Sequence, residues 1–87
     1  MKILLVEDDQ KLSTSLSAAL GGAGYEVAHA SDLKTSEAII RNSVPDLIIL
    51  DLMLGSEKGI TLLTRLRESG HSIPVIMLSA RHTLDEK

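Results

Sequence analysis

The sequence predicts an α/β domain built around a parallel sheet. Three observations predict it. Short apolar runs of strand length recur along the 87 residues. Stretches with apolar residues at helical spacing separate them. Glycine or proline marks most of the junctions. Runs that are apolar at every position suit strands covered on both faces, as in parallel sheets. Their alternation with helices predicts βαβ units joined by right-handed crossovers.

Ile3, Leu4, Leu5 and Val6 form the first run. Leu12, Leu16, Ala19 and Leu20 then share one helical face, and Gly21 and Gly22 end that segment. Gly24 precedes residues 25–30, which alternate only weakly and are expected nearer a sheet edge. Residues 33–41 read as a second, less strongly patterned helix. Leu47, Ile48, Ile49 and Leu50 make the third run, entered through Val44, Pro45 and Asp46. Ile60, Leu63 and Leu66 mark a third helix, with Leu62 widening its apolar stripe and Gly70 closing it. Pro74 opens the fourth run, Val75 to Leu78. Thr83 and Glu86 have the spacing of a capping box, which announces a further helix just before the chain stops at Lys87.

Composition narrows the function classes. The length suits one small domain. Hydrophobic residues make up 44% of the chain but aromatic residues only 1%, so the core must be built from Leu, Ile, Val, Ala and Met. The net charge is -3 and no basic cluster exists, so neither nucleic acid nor an anionic membrane surface is an expected partner. Cysteine is absent, which excludes disulfides and thiolate metal sites. The apolar run after Lys2 is far too short for a signal peptide or a membrane span, and a cytoplasmic protein is expected.

Polar residues follow three of the four apolar runs directly: Glu7, Asp8 and Asp9 after the first, Asp51 after the third, and Ser79 after the fourth. Ligands of open parallel α/β sheets bind beyond the carboxyl ends of the strands. Carboxylates gathered there repel one another unless a cation is present. Oxygen donors without nearby His or Cys suit Mg²⁺ or a similar hard ion. A carboxylate beside such an ion can attack phosphorus, and a hydroxyl such as that of Ser79 can hydrogen-bond the transferred group. Asp9 reads instead as a helix N-cap. His29, His71 and His82 lack metal-ligand spacing and read as surface or loop residues.

These blocks resemble the receiver domain of bacterial two-component response regulators, in wording closest to the subfamily that joins a receiver to a winged-helix DNA-binding domain. The matching residues are Val6 to Asp9, Pro45 to Leu54 and Pro74 to Arg81. The resemblance covers essentially the whole chain. It implies a flavodoxin-like doubly wound sheet of four strands in the order 2-1-3-4 with about three helices. Residues 1–87 would be a receiver domain lacking its fifth strand, fifth helix and most of its fourth helix. It implies that Asp51 accepts phosphate from a sensor histidine kinase. Glu7, Asp8, Asp51 and the Met53 carbonyl would hold Mg²⁺, Glu7 acting through water, and Ser79 would bind the phosphoryl group. The module would not be a conventional enzyme, since it promotes only its own phosphorylation, and it would control an output domain.

The sequence departs from the family pattern in two places. Gly55 stands where the family usually has Pro, and a looser loop after Asp51 is expected. The Lys and aromatic switch residue of the family's fifth strand have no counterpart. An uncovered fourth strand would leave an apolar edge, so a homodimer is expected through that strand or by exchange of the C-terminal segment. The alternative function is a dimerisation or decoy module without phosphotransfer. A phosphatase with an Asp nucleophile, of the haloacid-dehalogenase type, needs an acidic residue where Met53 stands, and is set aside.

Overall fold

The computed structural model describes residues 1–78. Ser79, His82 and the capping box at 83–86 lie outside the described residues. Within them the predicted alternation is present. The elements are β1 (Lys2–Val6), α1 (Gln10–Gly22), β2 (Glu26–Ala30), α2 (Leu33–Asn42), β3 (Leu47–Asp51), β4 (Met53–Leu54), β5 (Glu57–Lys58), α3 (Gly59–Glu68) and β6 (Val75–Leu78).

Four strands form one parallel sheet in the order β2-β1-β3-β6, the predicted order with β6 as the fourth run. The register pairs Val6 with both Ala30 and Leu50, and Asp51 with Leu78. The chain steps from β1 to β2 in one direction and from β2 across to β3 in the other. With right-handed crossovers this puts α1 and α2 on opposite faces. Leu4, Val6, Ile48 and Leu50 join Leu33 and Ile40 of α2 and Leu62 and Leu66 of α3 in one buried cluster. Ile3 and Leu5, which point to the other face, are as deeply buried. As predicted, β2 lies at an edge, and its residues are more exposed than those of β1.

The helices differ from the sequence reading in which residues they bury. In α1 the three leucines of the predicted face are half-buried, Ala19 is exposed, and the most buried residue is Ser13. In α3 the buried pair is Leu62 and Leu66, while Ile60 is 47% exposed. Ile60 belongs to the first turn, whose outer side faces away from the sheet. The caps follow expectation: Asp9 accepts from the Lys11 and Leu12 amides of α1, at 3.0 and 3.2 Å.

The segment after Asp51 is not the looser loop expected from Gly55. Residues 53–58 fold into a hairpin in which Met53 pairs with Lys58 and Leu54 with Glu57. Gly55 takes φ +62, the left-handed region that a two-residue turn requires at its first central position. Proline, fixed near −65°, cannot adopt it. The replacement of Pro by Gly therefore changes the kind of turn.

Candidate functional site

Because β1 and β3 are neighbours and run the same way, their carboxyl ends open side by side. Glu7 and Asp8 follow β1 directly, and Asp51 is the last residue of β3. One carboxylate oxygen from each of the three lies within 4.8 Å of the others. Glu7 and Asp51 are buried, at 1% and 5% exposure, and Asp8 is half-buried. The sheet register thus turns three separated carboxylates into one acidic pocket at its rim.

Local bonds hold the pocket's shape. The Glu7 amide continues the β2 ladder by donating to Ala30 O at 3.0 Å. Glu7 Oε2 accepts from the Asp9 amide at 3.0 Å, and Asp51 Oδ1 accepts from the Met53 amide at 3.2 Å. His29 Nε2 lies 2.7 Å from the Glu7 carbonyl oxygen. The ring is placed to donate, since a carbonyl only accepts. His29, read from sequence as a surface or loop residue, is a half-buried residue of edge strand β2 beside the pocket. Nothing in its spacing announces this contact, which spans 22 residues.

The electrostatics follow first from burial. Burial pushes the Glu7 carboxyl up to about 7. The bond from the Asp9 amide opposes that rise, and a hydrogen bond with Asp51 and repulsion from Asp51 and Asp8 add to it. Two carboxyl groups can share a hydrogen bond only if one of them holds a proton. Carboxylate oxygens gathered in this way favour a proton or a cation among them. Three carboxylate donors with no nitrogen or sulfur among them fit a hard dication such as Mg²⁺.

Gly59 completes the back of the site. A Cβ there would overlap the Asp51 carbonyl oxygen, lie 3.0 Å from its carbonyl carbon and 3.3 Å from Leu50 Cδ1. The Gly59 amide donates to Leu52 O at 2.7 Å, so the start of α3 is laced to the end of β3. Among the described residues no helix is long and apolar enough to cross a membrane.

Comparison with known proteins agrees with this architecture. The family model for the response regulator receiver domain matches residues 3–87. The transcriptional regulatory protein PmrA of Pectobacterium parmentieri is 39% identical over all 87 residues, which span 39% of its length. The transcriptional regulatory protein PhoP of Escherichia coli K12 is 34% identical over the same span, again 39% of its length. Among solved structures, the receiver domain of Francisella response regulator 1452 superposes with a TM-score of 0.86 at 32% identity, covering 99% of this chain and 69% of that one. The N-terminal domain of a response regulator receiver protein from Methanoculleus marisnigri gives 0.86 at 28% identity, covering 91% of this chain and 66% of that one.

Proposed function

Since the chain belongs to the response regulator receiver domain family, we propose that it is a phosphoacceptor module that takes a phosphoryl group on Asp51 from a sensor histidine kinase. The observation that carries this reading is the meeting of Glu7, Asp8 and Asp51 within 4.8 Å at the carboxyl end of the sheet. In this reading an Asp51 carboxylate oxygen attacks phosphorus. The new O–P bond forms as the P–N bond to the donor's imidazole breaks, and the departing imidazole keeps the electron pair and picks up a proton. Glu7 and Asp8, with Asp51 and the Met53 carbonyl, would hold Mg²⁺. When bound, the ion would supply positive charge to the phosphoryl oxygens. The Met53 amide orients the Asp51 carboxylate from the other side, and Ser79 would hydrogen-bond the transferred group. The phosphoryl group stays on Asp51 in this step, so the module is a switch component and no conventional enzyme. The reading includes a cytoplasmic location and control of a transcriptional output, the role the names of PmrA and PhoP give those proteins.

The test uses a small acyl phosphate donor with and without Mg²⁺, read by intact mass. One hydroxylamine-labile phosphoryl adduct at Asp51, formed only with the ion, is expected. No adduct under any condition would refute the phosphoacceptor role.

A second reading is favoured by β6. It pairs with β3 on one side and has no strand partner on the other among the described residues, and Ile76 within it is 51% exposed. An uncovered apolar edge pairs readily with another chain. A dimerisation or decoy module would use it without phosphotransfer. Sedimentation velocity is expected to show a concentration-dependent dimer, lost when Ile76 is replaced by Lys. A monomer at all concentrations would remove this reading.

A further inference from the structure

The hairpin of residues 53–58 bonds to the acidic pocket at Met53 and passes close to it at Gly55. The Met53 amide donates to Asp51, and a Cβ placed on Gly55 would lie 3.7 Å from Asp8 Oδ2. Yet each of its strands has only two residues, and isolated two-stranded hairpins are marginal even when longer. Its position must come from anchors outside itself. One is Leu54, 3% exposed in the core cluster. The other is Glu57, directly across the hairpin from Leu54. Its Oε1 accepts a hydrogen bond at 3.1 Å from the Leu33 amide, the first residue of α2.

That amide is one of the donors a helix start leaves without an intrahelical partner. Asp32, the N-cap, uses its Oδ1 on the Thr35 amide at 2.7 Å. Glu57 therefore supplies a second cap to α2 from 24 residues away. A carboxylate at this end of a helix also meets the favourable end of the helix dipole. The bond joins a helix that packs in the core to the short segment that borders the pocket.

We propose that Glu57 is a positioning residue for the acidic pocket: by capping α2 it fixes the 53–58 hairpin, and with it the backbone of Met53, at the distance from Asp51 and Asp8 that divalent-cation binding needs. The inference rests on the reading of that pocket as a Mg²⁺ site and concerns how tightly the site is preorganised. A ligand contributed by a segment that must first be ordered binds less tightly by the cost of the ordering.

The test is a Mg²⁺ titration of the 87-residue chain followed by amide NMR shifts, together with hydrogen exchange at the Leu33 amide. Glu57→Ala is expected to weaken Mg²⁺ binding about fivefold to tenfold, the effect of one lost hydrogen bond, and to speed Leu33 exchange. Glu57→Gln keeps an acceptor oxygen without the charge and is expected to restore binding to within about twofold. Asp32→Ala weakens the same helix start without touching the hairpin and is expected to leave binding within the same range. Unchanged binding in Glu57→Ala overturns the inference and leaves the pocket reading intact. Equal losses in Glu57→Gln would assign the effect to charge, and equal losses in Asp32→Ala to fraying of α2; either overturns it. Absence of any Mg²⁺-dependent shift in the unaltered chain overturns both the inference and the reading beneath it.

Discussion

Gly59→Ala is expected to unfold the domain or to displace Asp51 from its pocket, whereas Gly21→Ala is expected to stabilise it. Both substitutions add one methyl group. At Gly59 that methyl would occupy the place of the Asp51 carbonyl oxygen, with Leu50 closing the other side at 3.3 Å. These neighbours are strand backbone and a fully buried leucine, so neither can swing aside. Overpacking against an unyielding wall costs about 3 kcal/mol, a large share of the roughly 5–10 kcal/mol that holds a domain of this size together. At Gly21, inside α1, nothing lies within 4 Å of the new methyl. There the change removes glycine's helix penalty, worth about 1 kcal/mol. Urea titration of both variants separates the outcomes. A Gly59→Ala midpoint equal to that of the unaltered chain would show that β3 and α3 separate more easily than their contacts indicate.

The second large effect is electrostatic, and its sign is opposite to the usual behaviour of carboxylates. Glu7 is raised from 4.5 to about 7 in the folded chain. Between those values the folded state keeps a proton that the unfolded state has lost. Stability therefore falls as pH rises from about 4.5 through 7, and levels off above. Because the half-buried Asp8 lets water reach the rim, the loss is expected to be on the order of 1–2 kcal/mol. Mg²⁺ should reverse it above pH 7 by replacing the proton as counter-charge. Asp51→Asn should flatten the profile in part, since burial of Glu7 remains, and should raise metal-free stability at pH 8 by removing one repelling carboxylate. It should also abolish both Mg²⁺ stabilisation and phosphate incorporation. Thermal melts across pH, with Mg²⁺ and with a chelator, measure all of these. A melting temperature that rises between pH 5 and 8 without metal would contradict the account.

How much of this was legible in the sequence depends on the range of the interaction. The four parallel strands were, because strands buried on both faces leave continuous apolar runs such as Ile3 to Val6. The pocket was legible in part: the carboxyl-end rule puts Glu7, Asp8 and Asp51 on one rim, but their meeting needs β1 and β3 to be neighbours, which only the family resemblance implied and the sheet shows. The buried side of α3 was legible in part: Leu66 and the widening Leu62 face the core and Leu63 packs at its margin, while Ile60 lies exposed. The hairpin could not be seen, since two-residue strands have no periodicity and Gly55 suggested freedom where it serves a defined turn. Glu57 and His29 carry no local signal at all. Their bonds join residues 24 and 22 apart and exist only once α2 and β2 have packed.

The strand order has a consequence for the way the protein is made. β1, made before the other strands of this sheet, ends up inside it, with β2 on one side and β3 on the other. As the chain leaves the ribosome, Lys2 to Val6 emerge with no partner until Glu26 to Ala30 follow, and their second edge stays open until Leu47 to Leu50 appear. Throughout that interval a four-residue apolar run, Ile3 to Val6, stands unpaired on the nascent chain. Vectorial synthesis therefore presents the most buried strand of the finished domain as its earliest and longest-exposed chaperone target.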